Sequence, residues 1–191
     1  MGFFAFFHCI MDKKEIRRVI KEQTKALGAD KKATEAAIVS NLVKQIILDR
    51  KPSVVAAFMP LPDEIAIDID SLSSLCRLVL PRITCDSKES AEMEFFDYQP
   101  EEINQGAYGI SEPQGRSRIA AEEIDMIIVP GVAFSPDGRR LGRGKGFYDR
   151  YLSRKGFRAY CIGVCFRHQL LDDIPTEPHD RTMDKVVVSE Q

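Results

Sequence analysis

A run of alternating glycines and cations is the part of this sequence best suited to chemistry. Residues 142–146 are Gly-Arg-Gly-Lys-Gly, and Arg140 lies just before them. Because glycine has no Cβ, its backbone N–H groups can close on an anion, and the interleaved cations add positive charge. The chain has helical character from Phe147, so the loop would present its ligand to a helix N-terminus, which favours phosphate. Asp149 follows in that first turn, close enough to hold a metal ion that neutralises the same phosphates.

The loop differs from two common phosphate-binding motifs. A P-loop ends in Gly-Lys-Ser/Thr and a dinucleotide-binding loop has the spacing G-x-G-x-x-G, whereas the glycines here follow G-x-G-x-G. The alternative is a flexible, solvated glycine-rich turn that binds nothing. Physical chemistry alone therefore predicts a phosphate or polyanion site and does not identify its ligand.

A strand and a turn must position this loop. The run from Met126 to Val129 is short, apolar and β-branched, as in a parallel strand covered on both faces. Pro136-Asp137-Gly138 is a turn signal, because proline fixes φ and glycine accepts a positive φ. The order strand, turn, loop and helix is typical of an open α/β sheet, whose ligands bind beyond the carboxyl ends of its strands.

Helices and strands are also predicted along the rest of the chain. Apolar spacing predicts helices over residues 12–27, 31–48 and about 70–77, and strands over 53–59, 78–83, 92–98 and 157–166. We expect the strand over 92–98 to be antiparallel, and Pro81 favours a sheet edge or a strand end. These elements predict a single α/β domain of three layers, with a mostly parallel sheet and helices on both faces.

Composition limits the class of protein. A chain of 191 residues favours one domain with a real core, and 44% hydrophobic and 29% charged residues exclude disorder. The formal net charge of −2 gives no case for a nucleic-acid or membrane partner, so any anion site must be local. Five cysteines without paired spacing, and no credible secretion signal, predict a reducing, cytoplasmic location.

The first ten residues are treated separately from this domain. They contain four phenylalanines, but the stretch is too short to span a bilayer and lacks the basic leader and cleavage site of a signal peptide. We expect residues 1–10 to be an extended segment outside the core and residues 11–191 to form the domain. A surface segment tucked against another chain is the alternative.

Polar residues outside the loop are candidates for the same site. Cations crowd the first turns of the first predicted helix, where they oppose the helix dipole: Lys13, Lys14, Arg17 and Arg18. A bound polyanion would offset that cost, although a solvated charged face explains most charge runs and is favoured by the sequence alone. Glu64 follows the strand that ends near Met59 and could accept hydrogen bonds from an aminopterin-like ring; a helix cap or surface loop is the alternative.

Cys161, Cys165 and His168 do not predict a zinc site. On an extended strand the two cysteines would share a face but lie about 13 Å apart. No second ligand pair follows, so we interpret them as core thiols.

The central stretch resembles the signature of a known family. Pro130-Gly131-Val132-Ala133-Phe134, then Asp137-Gly138, then residues 140–149 match the 5-formyltetrahydrofolate cyclo-ligase (5,10-methenyltetrahydrofolate synthetase) family in order and spacing. Flanking segments extend the resemblance from about Lys13 to Ser189. It implies a cytoplasmic ligase of one-carbon metabolism that uses ATP and magnesium. The reaction would cyclise 5-formyltetrahydrofolate to 5,10-methenyltetrahydrofolate through an iminium phosphate, releasing ADP and phosphate.

The resemblance also implies the roles of individual residues. Arg143 and Lys145 would be catalytic, Asp149 and Asp184 would hold magnesium, and Met59 and Glu64 would contact the folate. The implied ATP-binding residues are Lys13, Arg17, Arg140, Leu141, Gly142, Arg143, Gly144, Lys145, Gly146, Phe147 and Tyr148. Part of the loop would border the folate as well: Arg143, Gly144, Lys145, Gly146 and Phe147.

Two further segments match the family but carry open interpretations. Residues 109–113 match a family segment and are expected to form a turn-rich loop, in which Glu112 either shapes the folate pocket or serves only the turn, the second being favoured. His179 and Asp180 are either a catalytic pair or part of a loop cap, and we favour the structural interpretation.

Two other classes of function remain open from the sequence. One is a different phosphate-handling enzyme, such as a kinase or a sugar-phosphate isomerase, which activity without ATP would indicate. The other is a non-catalytic nucleotide- or folate-binding protein, which the complete set of matched polar positions argues against.

Overall fold

The computed structural model describes residues 11–84, 91–106, 111–115, 117–177 and 180–189. In these ranges the helices are α1 (Lys13–Ala26), α2 (Ala29–Arg50), α3 (Ile69–Ser73) and α4 (Phe147–Leu152). The strands are β1 (Val54–Ala56), β2 (Arg77–Thr84), β3 (Glu92–Asp97), β4 (Ile103–Gln105), β5 (Ser111–Pro113), β6 (Arg118–Ile119), β7 (Met126–Pro130), β8 (Ala133–Phe134), β9 (Arg140–Leu141), β10 (Tyr160–Cys165) and β11 (Lys185–Val188). Short 3₁₀-helices span Pro100–Glu102, Ala121–Glu123 and Arg167–Gln169.

A seven-stranded sheet with the order β11-β10-β7-β1-β2-β3-β6 forms the centre of the domain. Neighbours from β11 to β2 are parallel, whereas β3 runs antiparallel to both β2 and β6. The predicted α/β class, the mostly parallel sheet and the antiparallel strand over 92–98 are confirmed. From β1 the chain first builds outward to β2 and then returns to the other side at β7, which makes the β1–β7 gap a topological switch point.

Helices cover both faces of this sheet, as predicted. Side chains that alternate along the central strands point to opposite faces and form two separate hydrophobic clusters. Helix α2 packs on the first face through Val39, Val43 and Ile47, against Val55, Ile128 and Ile162. Helix α4 packs on the second through Tyr151 and Leu152, against Ala56, Ile127 and Cys161.

Cys161 and Cys165 lie on the second face, opposite Ile162 and Val164 on the first. The alternation predicted for this strand is therefore confirmed. Burial raises the pKa of Cys161 to about 11 and that of Cys165 to about 12, so both stay protonated thiols at neutral pH. Both side chains pack the core.

Pro81 corrects one expectation. It marks neither the end nor the outer edge of its strand, because β2 continues to Thr84 and lies between β1 and β3. Pairing with β1 stops at Val79, however, so within the described part of the chain no strand pairs with β2 on that side at Pro81. The missing N–H therefore breaks no ladder hydrogen bond, which is the physical reason that proline is tolerated here.

Helix α1 packs against the β8–β9 hairpin. Asp12 caps the helix by accepting the N–H of Glu15 at 2.8 Å, and Ile16 and Ile20 pack against Ala133 and Leu141. Among the described residues, no helix is both long and apolar enough to cross a membrane. The expected extended segment over residues 1–10 lies outside the residues that the structure describes.

Candidate active site

A cavity of about 310 Å³ opens at the carboxyl ends of β1 and β7. Phe58 and Met59 follow β1, while Pro130 ends β7 and Gly131 follows it, and all four line the cavity. The cavity therefore lies at the switch point of the sheet, where open α/β folds bind their ligands.

A two-stranded hairpin carries the glycine-rich loop to this cavity. Strands β8 and β9 pair antiparallel, and the turn between them contains Gly138 at φ +92°, whose carbonyl accepts the N–H of Met183 at 2.7 Å. The predicted Pro-Asp-Gly turn is thus confirmed. After β9 the loop of residues 142–146 lines the cavity, with Gly144 at φ +90° and Gly146 at φ +68°. Gly146 caps α4, so the predicted loop-to-helix junction is confirmed as well.

Arg140 anchors the polar wall of the cavity. Its side chain is 4% exposed, and its Nη2 donates to Asp149 Oδ1 at 2.6 Å while Nη1 donates to the Pro130 carbonyl at 3.2 Å. These bonds tie the first turn of α4 to the end of β7. The buried Nε of Arg140 has no hydrogen-bond partner within the described part of the chain.

Arg143 joins the glycine-rich loop to the segment that follows β1. Its Nε donates to Glu64 Oε1 at 2.9 Å, and its two Nη atoms donate to the carboxylate of Asp63 at 2.6 and 3.1 Å. The other oxygen of Glu64 accepts the N–H of Leu61 at 3.0 Å. A carboxylate has about four acceptor positions, so Glu64 keeps capacity for a ligand that donates hydrogen bonds.

Lys145 differs from the other cations of the loop. It is exposed and lines the cavity, and its ammonium group has no hydrogen-bond partner among the residues described. The carbonyl of the same residue accepts Nη1 of Arg150 at 3.0 Å, which holds the backbone in place. The structure therefore presents a fixed backbone with an ammonium group available to a ligand.

Apolar side chains from β2 and β3 complete the cavity. Beside Phe58, the wall includes Pro81, Ile83, Met93 and Phe147. Of these residues, only Phe147 was predicted from the sequence to belong to the site. Phe58 and Pro130 stand at predicted strand ends, which is a usable signal, but nothing in the sequence indicates that β2 and β3 reach the same cavity.

Glu112 lies on the cavity wall and is 4% exposed. The expected turn-rich loop is wrong for its neighbourhood, because residues 111–113 form β5 and pair with β4. Its Oε1 accepts the N–H of Ile83 at 3.2 Å, close to where β2 extends beyond β1. Glu112 thus both supports β2 and contributes a carboxylate to the cavity. Gly109 and Ile110 lie outside the described residues.

A second cavity of about 110 Å³ adjoins the first. It is more polar and brings together cations of α1 and of the loop with one carboxylate: Arg17, Lys21, Arg143 and Asp63. Gly131 and Arg143 line both cavities and so form the wall that they share. Arg17 also donates through Nε to the Gly142 carbonyl at 2.8 Å, which fixes α1 against the loop.

Most of the predicted site residues meet in the larger cavity. Those on its wall are Met59, Glu64, Arg140, Gly142, Arg143, Gly144, Lys145, Gly146, Phe147, Tyr148 and Asp149. Arg17 lines the smaller cavity instead.

Three predicted residues line neither cavity. Lys13 donates to Glu177 at 2.9 Å and to Asp180 at 3.0 Å; burial lowers its pKa, but these two bonds raise it more, so the net shift is upward. The Leu141 side chain is buried in the core cluster under α1.

Asp184 is the third of these residues, and it stands apart from Asp149. It precedes β11, and its Oδ2 accepts the N–H of Cys161 at 2.7 Å, near the amino end of β10. Asp149 lines the cavity at the carboxyl ends of β1 and β7. Within the described ranges, no group of three or more His, Cys, Asp or Glu residues could hold a metal ion. His179 lies outside these ranges.

Known proteins share this architecture. The structure is similar to that of a 5,10-methenyltetrahydrofolate synthetase from Mycoplasma pneumoniae, with a TM-score of 0.75 and 25% identity over 94% of this chain and 100% of that one. It is also similar to the 5,10-methenyltetrahydrofolate synthetase of Aquifex aeolicus, with a TM-score of 0.78 and 30% identity over 93% of this chain and 89% of that one.

Sequence comparison gives the same family. The chain is 29% identical to the 5-formyltetrahydrofolate cyclo-ligase of Saccharomyces cerevisiae, covering 92% of this chain and 94% of the relative. It is 37% identical to that of Mycolicibacterium smegmatis, covering 70% of this chain and 72% of the relative. The model of the 5-formyltetrahydrofolate cyclo-ligase family matches residues 10–189. The chain therefore belongs to the 5-formyltetrahydrofolate cyclo-ligase family.

Proposed function

We propose that this protein is a 5-formyltetrahydrofolate cyclo-ligase, which uses ATP to convert 5-formyltetrahydrofolate to 5,10-methenyltetrahydrofolate. One observation carries the proposal: in a chain of this family, the glycine-rich cationic loop forms one wall of a cavity at the switch point of the sheet. An apolar wall that includes Phe58, Pro81 and Met93 lines the same cavity, so one site joins surfaces suited to a phosphate chain and to a flat ring.

The two walls suggest how the substrates divide the site. The pterin ring would lie against Phe58, Met59 and Met93, with Glu64 accepting hydrogen bonds from its N–H groups. The phosphates would lie against the loop, whose three glycines and Lys145 line the cavity. Arg17 would reach the phosphates from the smaller cavity, and Arg143 lies between the two substrates.

The chemistry needs positioned charge more than a protein nucleophile. The formyl oxygen attacks the γ-phosphorus, the bond from phosphorus to the ADP oxygen breaks, and an iminium phosphate forms. N10 of the folate then attacks the activated carbon and loses its proton, and phosphate leaves with the former formyl oxygen. Lys145 and Arg143 would stabilise the charge on the transferring phosphoryl group, while the cavity holds the reacting oxygen in line.

Magnesium fits one of the two carboxylates that the sequence suggested. Mg²⁺ commonly binds one or two carboxylates together with substrate phosphates and water. Asp149 meets that requirement through Oδ2, because the residue lines the cavity beside the loop and the bond from Arg140 goes to Oδ1. Asp184 does not, because it lines neither cavity and bonds the N–H of Cys161. We therefore propose Asp149 as the protein ligand of an ion that would neutralise phosphate charge.

We also propose a reducing, cytoplasmic location. Cys76, Cys161 and Cys165 are free thiols in the described structure, which is the state expected in a reducing compartment.

Near-ultraviolet absorbance of the purified protein tests the proposed function. The methenyl product absorbs where 5-formyltetrahydrofolate does not. We expect absorbance to rise only when protein, ATP, magnesium and 5-formyltetrahydrofolate are all present. A rise without ATP would contradict an ATP-dependent ligase, and a flat trace from folded protein that binds ATP would assign the nucleotide site to another reaction.

A further inference from the structure

We propose that Asp63 is a positioning residue that holds Arg143 in the wall shared by the larger and the smaller cavity. Asp63 was not among the residues expected to act, and it would touch neither reacting atom. Its role would be to fix the direction of the guanidinium group that faces both substrates. The inference rests on the proposed function, because the two substrates that Arg143 would face are the ones that it assigns to the site.

Asp63 and Arg143 form a bidentate ion pair. Both carboxylate oxygens of Asp63 accept from the guanidinium, one at 2.6 Å and the other at 3.1 Å. Glu64 accepts from the remaining Nε at 2.9 Å. A bidentate pair fixes the plane of a guanidinium as well as its position, which a single ion contact cannot do. The two adjacent carboxylates therefore define the orientation of Arg143 completely.

The two carboxylates face different cavities. Glu64 lines the larger cavity and Asp63 the smaller one, whereas Arg143 lines both. If the pterin ring engages Glu64, the pair with Asp63 still holds Arg143 in the shared wall. This division of contacts is the observation that points to a positioning role for Asp63.

The glycine-rich loop cannot orient Arg143 by itself. Hydrogen bonds hold the loop backbone, but Gly142 and Gly144 flank Arg143, so neither chain neighbour has a side chain that could restrict the guanidinium group. A long arginine side chain on such a backbone has many conformations to lose on binding. Asp63 removes that freedom in advance and so preorganises the cation.

The charge state of Asp63 suits this role. Burial raises the pKa of Asp63, but the hydrogen bonds and charge of Arg143, together with the charge of Lys21, lower it more. The net pKa lies below the ordinary value for aspartate, so the carboxylate is ionised at neutral pH and remains a full partner for the guanidinium.

Asp63→Asn tests the inference, with Asp97→Asn as the matched control. Asp97 also makes a bidentate pair, with Arg77 at 2.6 and 2.8 Å, but it lies on β3 and lines neither cavity. We expect Asp63→Asn to lower kcat/KM for ATP about tenfold, and Asp97→Asn to change it less than twofold. Thermal unfolding should shift equally little in both. Equal effects of the two variants on kcat/KM would overturn the inference.

A double-mutant cycle separates positioning from a direct effect. If Asp63 acts through Arg143, adding Asp63→Asn to Arg143→Ala will leave kcat/KM at the level of the single Arg143→Ala variant. If the separate effects of the two substitutions on kcat/KM multiplied in the double variant, Asp63 would act independently of Arg143, and the inference would be overturned.

Binding distinguishes failure of this inference from failure of the proposed function. Titration of Asp63→Asn and of Asp97→Asn with ATP alone compares their affinities for ATP without any turnover. An absence of cyclisation in the wild type would remove the proposed function, yet weaker ATP binding in Asp63→Asn than in Asp97→Asn would still support the positioning role. Equal ATP affinity in those two variants would contradict it.

Discussion

Replacing Lys145 by alanine is expected to remove most turnover and leave the fold intact. The ammonium group is exposed and has no partner among the described residues, so its loss breaks no hydrogen bond of the folded state. A surface change of this kind usually alters the free energy of unfolding by no more than about 0.5 kcal/mol.

The effect of Lys145→Ala on catalysis should be much larger. In the proposed reaction its charge meets the transferring phosphoryl group in a cavity with an apolar wall, where the loss of one preorganised donor costs about 3–4 kcal/mol. Each 1.36 kcal/mol corresponds to a factor of about ten in rate, so kcat should fall about 10²- to 10³-fold. Lys145→Arg, which keeps the charge, should retain more activity than Lys145→Ala.

Initial rates of methenyl formation at saturating ATP and folate measure this effect. Lys155→Ala is the matched control. Lys155 is exposed like Lys145, but it lies just after α4, whereas Lys145 lies just before it, and it lines neither cavity. Thermal unfolding of both variants checks the fold. If Lys145→Ala kept more than about a third of wild-type turnover, with an unchanged unfolding temperature, Lys145 would have no place in the transition state.

Four other variants test three separate parts of the structure. Gly138→Ala should lower the free energy of unfolding by about 2 kcal/mol or more in urea denaturation, because the new Cβ would lie 2.3 Å from the Met183 carbonyl oxygen at a φ of +92°. Gly144→Ala should lower the free energy of unfolding by less than Gly138→Ala, because its new Cβ would meet no atom closer than 3.7 Å. Lys13 must leave its pairs with Glu177 and Asp180 if it binds ATP as the family resemblance implies. In that case Lys13→Ala should raise KM for ATP about tenfold and leave KM for the folate unchanged in initial-rate assays, whereas an unchanged KM for ATP would assign Lys13 to the ion-pair cluster alone. Burial lowers the pKa of His168, so the unfolded chain takes up a proton first as pH falls below about 6.5; the free energy of unfolding should fall there, and His168→Gln should remove that component of its pH dependence.

The pattern of neighbouring residues in the sequence was enough to predict the glycine-rich loop together with the strand and turn before it and the helix after it. The apolar run of β7, the Pro-Asp-Gly turn, the alternating glycines and the start of α4 follow one another within about one supersecondary unit. Each depends on backbone preferences of nearby residues, such as the positive φ of Gly138 and Gly146. Short-range preference therefore gives the order strand, turn, loop and helix without knowledge of the rest of the fold.

The partners of the loop depend on the order of strands in the sheet, which local pattern does not contain. Arg143 meets Asp63 across 80 positions of sequence. Pro81 and Met93 reach the cavity because β2 extends beyond the last paired residue of β1. None of these contacts follows from periodicity, since periodicity gives the face of a residue but not the neighbour of its strand.

Asp184 illustrates the same limit at a strand end. A carboxylate beside a strand could lie at either end of a sheet, and only the direction of that strand decides which. Asp184 precedes β11, so it lies at the amino end, away from the carboxyl ends of β1 and β7 that carry the cavity. Its contact with the N–H of Cys161 is a capping role that sequence spacing does not reveal.

Simultaneous measurement of methenyl product and released phosphate tests the central claim most directly. Coupled cyclisation in one cavity predicts one phosphate for each methenyltetrahydrofolate formed, and no phosphate release above background when the folate is left out. Release of phosphate without methenyl product, or product formed without ATP, would contradict the claim that the loop and the apolar wall serve a single reaction.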